Sequence, residues 1–230
     1  MGCGPIFLLG GNIEVFDLIA DDFLAAAGGS EAAIALLLIG GEGWERHLPS
    51  YTAPWRRRGV TDLQVIIPGV DGLLDAEAAS ARIREATGIV VGGGNTARYQ
   101  WLYATEPIRT VIRERHQLGV PYAGLSAGAA LAAEACAVRP RSPGDPPVRL
   151  LPGLGLIGGL IIGVHFDREG QLALLLKAMA ETETGSGLGI DESACVVLAD
   201  GVRRRVVGGA VHEITASDLK AGRYSITTLV

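Results

Sequence analysis

The sequence predicts an α/β fold, a three-layer sandwich around a mostly parallel central sheet. Two patterns predict it. Short, fully apolar runs alternate with amphipathic stretches, and most of those runs end in glycine. Strands buried on both faces read as continuous apolar segments, and parallel neighbours need helical crossovers between them. Length supplies a third constraint. At 230 residues and 48% hydrophobic, the chain has material for one sizeable core, so a single domain over 1–230 is expected.

The elements follow in order. Pro5 to Leu9 ends at Gly10-Gly11-Asn12, Ile34 to Ile39 at Gly40-Gly41-Glu42, Leu63 to Ile67 at Pro68-Gly69, and Ile89 to Val91 at Gly92-Gly93-Gly94-Asn95. A fifth approach, Val120-Pro121-Tyr122-Ala123, runs into Gly124-Leu125-Ser126-Ala127-Gly128. Helical stretches are expected near 13–27, 45–58, 75–87 and 96–118, the last broken at Pro107, and another from Ala127 to about Ala135. Residues 139–152 hold five prolines and read as a surface excursion, a loop or a lid. Beyond it, Leu154 to Val164 is apolar and glycine-rich, and His165 to Glu169 opens a helix to about Thr182. Ala194 to Leu198 reads as a strand, and Arg205–Val207 with Val211–Ile214 as a hairpin.

Composition removes several function classes. A net charge of −5 gives no basic field for nucleic acid. Arg56-Arg57-Arg58 and Arg203-Arg204-Arg205 read as solvated charge. Cys3, Cys136 and Cys195 are scattered and lack a CxxC pair, so neither a disulfide framework nor a zinc site is expected. The first residues read as a strand rather than a signal peptide, and no apolar window is long enough for a membrane span. A cytoplasmic protein without metal or cofactor is expected, with no nucleic-acid or membrane partner and a homodimer as a possible assembly.

Ser126 is the candidate nucleophile. Glycine two before and two after leaves room for a strained strand-to-helix turn that displays a nucleophile, although such a pattern also arises by chance in a chain with 33 glycines. The strand-end turns should gather around it, since ligands of parallel α/β sheets bind beyond the carboxyl ends of the strands. A serine needs a base. Of four histidines, His47 and His116 lie in polar helical stretches and read as surface residues, and His212 lies beside Glu213 in the late hairpin. His165 ends the apolar run Leu160 to Val164, where it either serves the site or caps the next helix. Asp191 and Glu192 end a glycine-rich turn, as acids of the site or as element ends.

Four segments, Gly-Gly-Gly-Asn-Thr at 92–96, Gly-Leu-Ser-Ala-Gly-Ala-Ala at 124–130, His-Phe-Asp-Arg-Glu-Gly-Gln-Leu at 165–172 and Gly-Ile-Asp-Glu-Ser-Ala at 189–194, occur in the order and spacing of a known family. The chain resembles the serine peptidases that include cyanophycinase and dipeptidase E. The resemblance implies a flavodoxin-like fold, similar to the class I glutamine amidotransferase domain. It also implies Ser126 as nucleophile, His165 as base and Glu192 as orienting acid, following the cyanophycinase branch. The dipeptidase E branch sets its acid closer behind the serine, where this chain offers Glu134 and Asp145. The oxyanion donors expected are the N–H groups of Ala127 and Gly94, with Gly93, Asn95 and Thr96 binding substrate. Asn95 has the alternative of ending its strand.

Cyanophycinase cleaves β-linked Asp-Arg units and carries a polar Asp-Gln pair before its histidine. Gly163 and Val164 stand there in this chain and offer nothing to a guanidinium or an amide. The expectation is therefore a peptidase of small substrates, aspartyl or isoaspartyl dipeptides, with Arg98, Arg168 or Arg56 to Arg58 as carboxylate partners. Two other readings stand beside it. An α/β-hydrolase-type esterase would order its triad serine, acid, histidine and use His212, and a binding domain of the same fold would have no turnover.

Overall fold

The structure, a computed structural model, describes residues 2–139, 148–200 and 202–230, without the side chain of Arg204. Its first half is built as the rhythm predicts. β1 (Ile6–Leu9), α1 (Val15–Ala27), β2 (Ala33–Leu37), α2 (Leu48–Arg56), β3 (Asp62–Ile66), α3 (Ala76–Glu85) and β4 (Gly88–Val91) alternate. After them, α4 (Thr96–Tyr103) and α5 (Ile108–Gln117) are separated at the proline, and β5 (Tyr122–Leu125) leads into α6 (Ala127–Leu131). The later elements are β6 (Ala135–Val138), β7 (Arg149–Pro152), β8 (Ile161–Val164), α7 (Gln171–Glu181), β9 (Ser186–Ile190), β10 (Ala194–Ala199), β11 (Val202–Gly208), β12 (Val211–Asp218) and β13 (Arg223–Leu229).

A seven-stranded sheet takes the order β11-β10-β1-β5-β4-β2-β3. Its five N-terminal strands are mutually parallel, and β10 and β11 extend it antiparallel. Alternate residues of each strand face opposite ways, so Ile6 and Leu8 pack with α3 to α6 on one side. Phe7 and Leu9 pack with α1 and α2 on the other. These are the three layers. A second sheet, β13-β12-β9-β8, carries α7, whose Leu175 and Met179 pack against Ile161 and Ile214.

Several expectations are corrected. Val211–Ile214 does not form a hairpin with Arg205–Val207, because β11 pairs with β10 while β12 pairs with β9 and β13. The glycines at 208 and 209 carry the chain from one sheet to the other. The helix after Ser126 stops at Leu131 rather than near Ala135, since Ala135 already belongs to the β6 ladder with Pro152. That ladder also gives regular structure to Arg149–Pro152, inside the expected excursion. The lid expected there falls on 140–147, outside the described residues. Helix α7 begins at Gln171, not at His165, because His165 to Gly170 forms a turn first. Among the described residues, no helix is long and apolar enough to cross a membrane.

Candidate active site

Ser126 sits at φ 51°, ψ −106°, a conformation that a residue with a side chain adopts only under constraint. The constraint is steric and local. A Cβ on Gly124 would lie 2.4 Å from the backbone of Gly128, and one on Gly128 would lie 2.4 Å from the carbonyl oxygen of Val91. Strand, turn and helix can close this tightly only with glycine at both places. Hydrogen bonds then fix the turn: Ser126 N–H donates to Leu9 O at 2.9 Å and Gly128 N–H to Gly92 O at 3.2 Å. The buried Tyr122 hydroxyl donates to Gly128 O at 2.7 Å.

His165 arrives from the other sheet. It follows β8 directly, also at positive φ, and its Nε2 lies 2.7 Å from Ser126 Oγ. Its Nδ1 is hydrogen-bonded to Glu192 Oε2, from the turn between β9 and β10. The imidazole thus bridges a hydroxyl and a carboxylate, the arrangement that lets a histidine take a proton at one nitrogen while its tautomer is held at the other. The histidine and glutamate side chains are 21% and 30% exposed, so the pair is partly buried yet within reach of solvent.

Three neighbours hold this pair and were not singled out for that task by sequence reasoning. Asp167 Oδ1 accepts the Glu192 N–H at 3.0 Å. Arg168, expected to meet a substrate carboxylate, instead forms an ion pair with the same Glu192 Oε2 at 3.0 Å. Gly11 lies against the ring, where a Cβ would come within 2.2 Å of His165 Cε1 and 2.7 Å of Glu192 Oε1. The Gly10-Gly11 turn after the first apolar run was the available signal for the last.

The other candidates separate. The N–H of Ala127 is the first of α6 and has no acceptor within its own helix. Gly94 and Thr96 line a cavity at Ser126. Gly93 donates its N–H to the Tyr51 hydroxyl at 3.0 Å. Asn95 caps α4, its Oδ1 accepting from Arg98 N–H at 3.0 Å, and also lines the cavity. Arg98 reaches the Gly72 carbonyl and lies over Trp101, and Arg57 and Arg58 pair with Asp17 and Asp21. None of these three lines the cavity at Ser126. Two arginines that sequence reasoning passed over, Arg139 beside β6 and Arg149 of β7, line that cavity, of about 430 Å³, and Arg139 also donates to Glu169 O at 2.8 Å.

The remaining histidines do not reach the serine. His212 is half-buried and is not placed as a base for Ser126. Its Nε2 lies 3.2 Å from Asp191 Oδ1, its Nδ1 lies 3.0 Å from Thr228 Oγ1, and its ring packs 5.1 Å from that of Phe166. The esterase reading thereby loses the base it required. His116, expected at the surface, is buried, and desolvation holds its pKa below the ordinary value. Cys136 and Cys195 are buried too, and burial pushes the Cys136 thiol up to about 12, so it stays protonated.

Residues 51–206 match the model of peptidase family S51. The chain belongs to that family. Over 213 residues it is 28% identical to a cyanophycinase of Synechococcus elongatus, an alignment covering 90% of this chain and 66% of that one, so the S51 chain spans just under two thirds of the relative's length. A shorter match, 39% identity over 72 residues, is to a peptidase E of Shewanella denitrificans and covers 31% of this chain and 29% of that one. A crystal structure of a peptidase from an acI-B1 Actinobacterium superposes with a TM-score of 0.70 at 21% identity, covering 94% of this chain and 96% of that one. That likeness shows the fold.

Proposed function

We propose that this S51 chain is a serine peptidase that hydrolyses small peptides, with aspartyl or isoaspartyl dipeptides as substrates, through an acyl-enzyme on Ser126. The observation that carries the proposal is the 2.7 Å approach of Ser126 Oγ to His165 Nε2, with Glu192 bonded to the opposite ring nitrogen. As Oγ attacks the scissile carbonyl, its proton passes to Nε2, and Glu192 stabilises the imidazolium that forms. Collapse of the tetrahedral intermediate breaks the C–N bond, and the imidazolium returns the proton to the leaving amine. Water, deprotonated by the same imidazole, then releases the acyl group.

The developing oxyanion is met by the N–H groups of Ala127 and Gly94, each worth about 10²–10³ in rate. Ala127 brings the positive end of α6 with it, and a five-residue helix contributes through its first-turn donors rather than a long dipole. The acidic preference is supported by Arg139 and Arg149 in the wall of the cavity. Ile162, Gly163 and Val164 give that wall an apolar stretch. They offer no partner for the arginine side chain of a cyanophycin unit.

A fluorophosphonate probe tests the nucleophile without assuming a substrate. Labelling is expected on the peptide containing Ser126, together with cleavage of α- or β-aspartyl dipeptides that Ser126→Ala abolishes. A protein that neither labels nor cleaves any dipeptide is the binding domain of the alternative reading.

A further inference from the structure

Ser126 and His165 also line a second and larger cavity, of about 740 Å³, that opens between the turns following β1 and β2. Its walls differ from those of the first. Trp44, Tyr51, Tyr99, Ile13 and Ile39 line it, whereas the arginines belong to the other chamber. We propose that this second chamber is the leaving-group subsite and takes a large apolar or aromatic residue of the peptide. The proposal rests on the aspartyl-peptidase reading, because Arg139 and Arg149 assign the acidic acyl residue to the first chamber and leave the second for its neighbour.

Two features argue that the chamber is built for a ligand rather than left over by packing. Its walls are continuous with the reacting hydroxyl and with the imidazole that must protonate the leaving amine, so a residue seated there is correctly placed for proton transfer. The second is the fixed shape of its wall. The Tyr99 ring is fully buried where it lines the chamber, so the wall keeps its form without a ligand. Tyr51 adds a second phenol beside it, holding the Gly93 N–H, and burial keeps both phenols protonated. Glu42 and His47 are exposed at the rim, and charge there leaves the aromatic interior to an apolar side chain.

The test compares aspartyl-phenylalanine with aspartyl-alanine in both linkages. Burial of the aromatic ring is expected to favour the phenylalanine substrate by about tenfold or more in kcat/KM, and Trp44→Ala should bring that ratio close to one. Trp44→Phe keeps an aromatic wall and should retain the ratio, which separates the subsite from a folding defect. In parallel, free L-phenylalanine is titrated against tryptophan fluorescence. A saturable change that disappears in Trp44→Phe supports the chamber, because Trp55 is buried in the core and Trp101 lies on α4 under Arg98, outside the chamber wall. If this signal is present but no aspartyl dipeptide is cleaved, the chamber stands and the acidic reading fails. Equal turnover of the two dipeptides, unaffected by Trp44→Ala, overturns the chamber while the acidic reading stands.

Discussion

The serine and its two partners are held by different means. Ser126 is fixed by backbone sterics inside the parallel sheet, where Gly124 and Gly128 touch main-chain atoms and no side-chain choice remains. His165 and Glu192 are fixed by side-chain ties among Asp167, Arg168 and the turn after β1, on the loops that follow β8 and β9. Ser126 is thus placed by the core, and His165 and Glu192 by a hydrogen-bonded rim. Damage to the first should appear as lost stability, and damage to the second as lost turnover in a folded protein.

The largest effect expected on the rim is that of Glu192→Ala. It should lower kcat by about 10⁴-fold with an unchanged fold by circular dichroism, since the imidazole loses the group that orients it. On the core side, Gly124→Ala places a methyl 2.4 Å from backbone and should cost about 3 kcal/mol or more, read as a lower denaturation midpoint. If Gly124→Ala were stable but slow, the contrast would break. Gly11→Ala tests the opposite side of the same contrast. Its methyl meets a movable imidazole, so kcat should fall by about 10²-fold with little change in thermal stability. Asp167→Ala loosens the Glu192 backbone without touching the reacting atoms, and a loss of about tenfold in kcat is expected.

The smallest effect belongs to His116, far from the chemistry. Burial lowers its folded pKa beneath the unfolded value of 6.5, so the unfolded chain takes up a proton first as pH falls. Its contribution to stability is complete above pH 6.5 and declines as pH drops from there toward the folded pKa. His116→Gln should flatten that part of a plot of melting temperature against pH.

The same contrast explains what could be read from sequence. Parallel strands buried on both faces announce themselves as apolar runs, and the sterics of a tight turn demand glycine at fixed spacing, so the sheet around Ser126 was legible. Gly187 to Ile190 was harder, because β9 is short of bulky side chains and gains its place from pairing with β8 and β12. Val206 and Val211 are close in sequence, yet they belong to different sheets, which no local pattern reveals. Segments around His165 and Glu192 were legible as motifs through the family resemblance. Arg139, Arg149, Tyr51 and Trp44 were not, since each reaches the site from an element whose placement depends on pairing or packing distant in sequence.

The most direct measurement of the central claim is kcat for Ser126→Ala, His165→Ala and the double variant on one aspartyl dipeptide. Residues that act as a unit give non-additive losses. Each single substitution should reduce kcat by about 10⁵–10⁶-fold, with the double variant no slower than either one. Turnover retained by Ser126→Ala, or losses that multiply in the double variant, would contradict the account.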